Sequence, residues 1–174
     1  MAKLVLTAIG DDRAGLVSAL SDAVAERGGN WLESQLARLA GKFAGIALVE
    51  VPDAAVPAFE DAARALADSE GLVVTVTSAE DAASPVAGRE FRLHVLGHDQ
   101  PGIVQQVSRA VAERGITIDE LSTSTLEAPM AGGLLFEADA VLRAPDDAAV
   151  DELQRALEAL AGELMVDVEL SASE

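Results

Sequence analysis

The stretch GDDRAGLVSALSDAVAERG at residues 10–28 returns as GHDQPGIVQQVSRAVAERG at residues 97–115. Eleven of the nineteen paired positions are identical, among them Gly10/Gly97, Asp12/Asp99, Gly15/Gly102, Val17/Val104, Ser21/Ser108 and the run AVAERG. Agreement of that extent marks a duplication, even in an alanine-rich chain. The offset of 87 residues is too long for a solenoid repeat and suits a small domain.

Working outward, each copy reads alike. Lys3–Ile9 is a short Leu/Val/Ile run stopped by Gly10-Asp11-Asp12, which predicts a strand and a turn. The spacing then changes to that of a helix, with Leu16, Val17, Leu20 and Val24 on one face and Gly28-Gly29 as the stop. Asp12 is the expected N-cap, its carboxylate accepting from the free first-turn amides. Asn30–Leu39 and Phe43–Val51 read as two strands joined at Ala40-Gly41-Lys42. Pro52-Asp53 opens a second helix that buries Val56, Phe59, Ala63 and Leu66, and Leu72–Thr77 is the last strand. Val150, Leu153, Leu157 and Leu160 repeat that helix's spacing in the second copy. The order is βαββαβ twice, an α+β class built of two tandem ferredoxin-like units, each an antiparallel sheet with its helices on one face. The expected boundaries are a first domain at 1–77, a linker at 78–89 and a second domain at 90–174. The linker reading rests on the small, proline-bearing stretch SAEDAASPVAG at 78–88. The second hairpin is longer than the first and includes Ala128-Pro129-Met130-Ala131-Gly132-Gly133.

Composition narrows the function. Thirty Asp and Glu against twelve Lys and Arg leave a net charge of -18 over 174 residues, with a pI near 4.2. Residues 1–87 hold six basic and thirteen acidic groups, and residues 88–174 hold six and seventeen, so neither half offers phosphates a basic face. Direct nucleic-acid binding is therefore not expected. Cysteine is absent, which excludes disulfides, thiolate metal sites and a cysteine nucleophile. Aromatics make up 3% of the chain and apolar residues 50%, so the cores must be aliphatic. Met1-Ala2-Lys3 leads straight into a strand pattern without a signal-peptide signature, and no apolar run approaches the roughly eighteen residues of a membrane span. A cytoplasmic protein without membrane contact is expected.

Catalytic and metal constellations mostly fail. His94 and His98 are four apart, but the first lies in a strand and the second in the turn after it, so they do not form a helical metal pair. His94 reads as a half-buried strand residue, and no metal site or other cofactor is expected. No G-x-S-x-G elbow occurs, and Leu16-Val17 stands where a phosphate-binding loop needs Lys-Ser/Thr. Asp146-Asp147 and Asp151-Glu152 open a helix, where acidic groups favour the dipole. What survives is the strand-to-helix turn, GDDRAGLV at 10–17 and GHDQPGIV at 97–104. Such a turn presents backbone N–H groups at a helix N-terminus, and small Gly15 and Gly102 allow close approach by a ligand or by another backbone. Packing of helix against strand explains the same glycines without a ligand.

These residues carry a family resemblance. HDQPGIVQQVSRAVAERGITI at 98–118 resembles the D-R-P-G-I-V…G-x-N-I signature of ACT domains, and DDRAGLV with RGGNW at 11–17 and 27–31 matches it in the first copy. The pair of copies, with NWLESQLARLAGKF at 30–43, is similar to the glycine cleavage system transcriptional repressor group. The resemblance implies a regulatory module that binds amino acids where the first turn of one domain meets the second strand of a neighbour. Carried onto this chain, it implicates Asp11, Asp12, Arg13, Ala14, Gly15 and Leu16 with Asn30 and Trp31. In the second copy it implicates His98, Asp99, Gln100, Pro101, Gly102 and Ile103 with Thr117 and Ile118. Ala14 departs from the family's proline and Thr117 from its asparagine, so each copy is degenerate at a different place.

Two function classes follow. In the first, a small amino acid of the glycine or serine class changes how this chain meets a protein partner, such as a DNA-binding regulator of transcription. In the second, the ACT surfaces only assemble chains and no ligand binds. Catalysis ranks below both, and a homodimer or higher oligomer is expected because the sheets have edges to cover.

Overall fold

The computed structural model describes residues 1–79, 87–128, 132–145 and 150–173. Two compact units divide the chain, Met1–Ala83 and Ser84–Glu174. In the first, β1 (Ala2–Asp11), α1 (Leu16–Ala25), β2 (Asn30–Leu39), β3 (Lys42–Val51), α2 (Val56–Glu70) and β4 (Leu72–Ser78) follow the expected order, with a short 3-10 turn at Asp53–Ala55. The second repeats it as β5 (Arg89–His98), α3 (Ile103–Ala112), β6 (Thr117–Glu127), β7 (Leu134–Ala144), α4 (Val150–Leu164) and β8 (Val166–Ala172). Both sheets are antiparallel, in the orders β2-β3-β1-β4 and β6-β7-β5-β8. These are two tandem ferredoxin-like units. The expected linker falls largely on residues 80–86, and Pro129–Ala131 and Asp146-Asp147 also lie outside the described residues.

Each unit has its own core. Both are mostly aliphatic but not wholly so, unlike the reading from composition, because Phe43 and Phe59 are buried in the first and Phe91 and Phe136 in the second. Leu4, Leu6 and Ala8 alternate inward along β1 to meet Leu16, Leu20 and Val24 of α1 and Phe59 and Leu66 of α2. Leu93, Val95, Val107, Val111, Leu153 and Leu157 do the same in the second unit. No polar or charged residue is buried among the described residues, so apolar packing holds both units together. The helical face is rotated slightly from the sequence reading. Ala23 is buried on α1 while Val17 stays 46% exposed, because the sheet covers a stripe centred on Leu20. Val150 and Leu160 flank the α4 stripe, and Leu164 is buried instead.

Two local devices shape the strands. The hairpin between β2 and β3 is a two-residue turn in which Ala40 (φ 49°) and Gly41 (φ 78°) both take positive φ, the requirement of a type I′ turn. The edge strands β2 and β6 each carry an irregularity near their start, between Trp31 and Glu33 and between Ile118 and Glu120. The extra residue resets the alternation, so that Trp31 and Leu36 can both lean on the core.

Candidate functional site

The turn before α1 does not use the cap the sequence suggests. Gly15, at φ 95°, is the N-cap residue, and α1 has no side-chain cap. Asp12 stands three residues earlier. Its N–H donates to the Gly41 carbonyl at 2.9 Å, and its carboxylate lies 3.3 Å from an Arg38 guanidinium nitrogen. The left-handed glycine swings the chain away from the helix axis, so the carboxylate cannot reach back to the first amides. Gly102 repeats the geometry at φ 97°, α3 likewise has no side-chain cap, and the Asp99 N–H donates to the Leu134 carbonyl at 2.9 Å. Both helices therefore begin with free amides, which carry the positive end of the helix dipole.

The two turns differ in their surroundings. Around the first, Lys42 pairs with Asp11, Arg38 with Asp12 and Arg13 with Glu70. Its polar side chains are thus occupied by one another. Around the second, the Gln100 amide donates to the Leu164 carbonyl. His98 and Asp99 are exposed, and neither side chain pairs with a described residue. His98 is the last residue of β5, opposite Leu135, and so belongs to the strand and not to the turn beyond it. Among the described residues, the second turn thus offers uncapped amides and a carboxylate without a partner.

The other implicated residues fall into distinct groups. Leu16 and Ile103 are core residues at 2% and 3% exposure, leaving only their backbone to meet a ligand. Ala14, Gly15 and Pro101 are exposed, and Gly102 is half-buried. Trp31 and Ile118 pack partly against their cores. Asn30 is exposed and its amide has no described partner, whereas the Thr117 hydroxyl lies 3.3 Å from Asp119 and 3.4 Å from the Arg143 carbonyl.

Strand register separates these groups within a unit. Asn30 lies opposite Glu50, which lies opposite Lys3, at one end of the first sheet. Asp11 lies opposite Lys42 at the other end. The two positions are eight steps apart along β1, on the order of 26 Å along a strand. Thr117 and His98 are split in the same way by Arg143–Glu90 and Leu135. No single unit brings its own turn to its own second-strand start.

One group escaped the sequence reading. His94 of β5 lies opposite Asp139 of β7, with Glu137 two residues along the same face. The only signal was the Glu-Ala-Asp alternation at 137–139, which places both carboxylates on one face of a strand. Elsewhere, the Asp53 carboxyl is held below the usual carboxylate range, first by the hydrogen bond from the N-terminal ammonium at 2.9 Å and then by its charge.

Paired βαββαβ units with a glycine-hinged turn before each first helix define a tandem ACT architecture. The ACT domain family matches residues 2–77 and 91–171, and the chain belongs to that family. No curated protein matches it. Among solved structures, it is similar to an unknown protein from Galdieria sulphuraria, with 32% identity, 99% of each chain covered and a TM-score of 0.87. It is also similar to a candidate glycine cleavage system transcriptional repressor, with 21% identity, coverage of 99% of this chain and 98% of that one, and a TM-score of 0.72. At that identity the second likeness concerns the fold. No described helix is long and apolar enough to cross a membrane.

Proposed function

We propose that this chain is a regulatory, amino-acid-sensing protein whose ligand response alters its contact with a protein partner. One observation carries the reading: the turn at 99–102 places uncapped α3 amides beside an Asp99 carboxylate that has no partner among the described residues. That pairing suits a zwitterion, whose carboxylate takes the helix N-terminus and whose ammonium takes Asp99. Exposed Asn30 has an amide that can both donate to and accept from a ligand of this kind. The ligand class, glycine or serine, follows from the resemblance to the glycine cleavage repressor group. The fold likeness to a candidate glycine cleavage repressor supports a partner in transcriptional control of amino-acid metabolism.

A thermal-shift titration with the common amino acids tests this. Glycine or serine should raise the melting temperature in a dose-dependent way, by the equivalent of about 2.7 kcal/mol at a hundred times the dissociation constant. Asn30→Ala and Asp99→Asn should each weaken binding by about 1–3 kcal/mol. If no amino acid shifts the protein at millimolar concentration, the sensor reading falls. A ligand-free assembly module then takes its place, supported by the ten-residue edge strand β2 with Leu39 at 79% exposure. Light scattering measures the homodimer or larger assembly that either reading involves.

Any transcriptional role would run through that partner and not through DNA contact. With a net charge of -18, the purified protein alone should give no salt-sensitive mobility shift with duplex DNA at physiological ionic strength. A shift that weakens with added salt would overturn this.

A further inference from the structure

The helix-free faces of the two sheets have diverged. At the centre of the first, Thr7 lies opposite Ile46 on β3 and Thr75 on β4. At the matching place in the second, His94 lies opposite Asp139 on β7 and Glu169 on β8. Glu137 pairs across from Leu96 where Ala44 pairs across from Ile9. A hydroxyl-and-aliphatic surface in one copy is thus an imidazole ringed by carboxylates in the other. Core packing does not require the change, since both copies form the same sheet.

The geometry points to a divalent transition-metal site formed by His94, Glu137 and Asp139. His94 Nδ1 lies 2.9 Å from Asp139 Oδ1, and His94 Nε2 lies 3.9 Å from Glu137 Oε1. The carboxylates thus stand at different ring nitrogens, and one of them must swing to share an ion bound at the other's nitrogen. One ligand atom from each residue falls within 4.8 Å of the others. Metal–ligand distances of about 2.1 Å would draw such atoms to roughly 3 Å apart. Both carboxylates are at least partly exposed, at 37% and 68%, and can rotate that far, while β-sheet pairing fixes the backbones beneath them. One imidazole nitrogen and two carboxylate oxygens favour Zn²⁺, Co²⁺ or Ni²⁺ over Mg²⁺ or Ca²⁺, which prefer all-oxygen sets. The solvent side of the face leaves the remaining coordination positions open to water. The chain's net charge of -18 raises the local concentration of cations. Arg92, two residues before His94 on β5, is the neighbouring cation on this face, while Glu169 stands across from His94 on the β8 side. The imidazole thus has carboxylates on both flanking strands.

Titration of the full chain with Zn²⁺, followed by calorimetry in a non-chelating buffer, reads the site directly. One saturable Zn²⁺ per chain is expected, with Mg²⁺ at the same concentration giving none. His94→Thr and Glu137→Ala install the residues that the first sheet already carries at these places, so both variants should keep the fold by circular dichroism. Each should weaken Zn²⁺ binding at least about tenfold. The chain has only two histidines, so side-chain nitrogen NMR supplies a second readout that needs no variant. Zn²⁺ should move the His94 imidazole signals and leave those of His98 in place. Absence of saturable binding, unchanged affinity in either variant, or a response confined to His98 would overturn the assignment.

Discussion

Phe59→Ala should remove about 3–5 kcal/mol from the first unit and leave the unfolding of the second where it was. Phe59 is fully buried on α2 and stands above Ala63 on the same helical face, in a core that contains no residue of the second unit. Its place on α4 is taken by Leu153, which anchors the other core separately. Removing the ring leaves a cavity that Ala63, itself small, cannot fill. For a domain of this size, each kcal/mol shifts the melting temperature by about 4–8 °C, so the variant should show two calorimetric transitions, the lower displaced by more than about 12 °C. A single transition moving as a whole would show that the cores unfold together and would defeat the prediction.

The second large effect concerns the two glycine hinges. Gly15 and Gly102 sit at φ 95° and 97°, beyond the range that a side chain tolerates. Space is not the constraint. A β-carbon at Gly15 would meet nothing within 4 Å, and at Gly102 only the Gln106 amide nitrogen at 3.5 Å. Valine at either position should therefore cost a similar 1–3 kcal/mol, roughly, through backbone strain alone. The ligand response should separate them. Gly102→Val distorts the turn that has free amides and a free Asp99, and should lose stabilisation by glycine, whereas Gly15→Val should keep it. Melting each variant with and without the amino acid decides the matter, and the reverse outcome would move the site to the first turn.

The architecture was legible because duplication doubled every signal. A strand pattern that turns into helical spacing after Gly10 and again after Gly97 leaves few other folds open. What the chain conceals are features that cost a single residue. The irregularities after Trp31 and Ile118 change no composition, yet they reset which side chains face the core. Asp12 looked like a cap because its type and place were right, and only the φ of Gly15 shows that the helix begins elsewhere. The candidate residues could be listed one by one, but their division between opposite ends of a sheet appears only in strand register. The His94 group joins strands more than forty residues apart, beyond any local pattern.

The ion pairs at the first turn also make the two copies unequal in their response to the medium. Lys42–Asp11, Arg38–Asp12 and Arg13–Glu70 are largely solvent-exposed, and attraction between such groups fades as the Debye length falls from about 8 Å at physiological ionic strength to about 3 Å at 1 M. Salt should therefore weaken the side-chain contacts of the first turn, whereas among the described residues the second has a neutral contact from Gln100 to Leu164 and no ion pair of its own. From one ancestral turn, duplication has left one copy whose side-chain contacts weaken with salt and another whose side-chain contact is neutral, over the same backbone hydrogen bond in each.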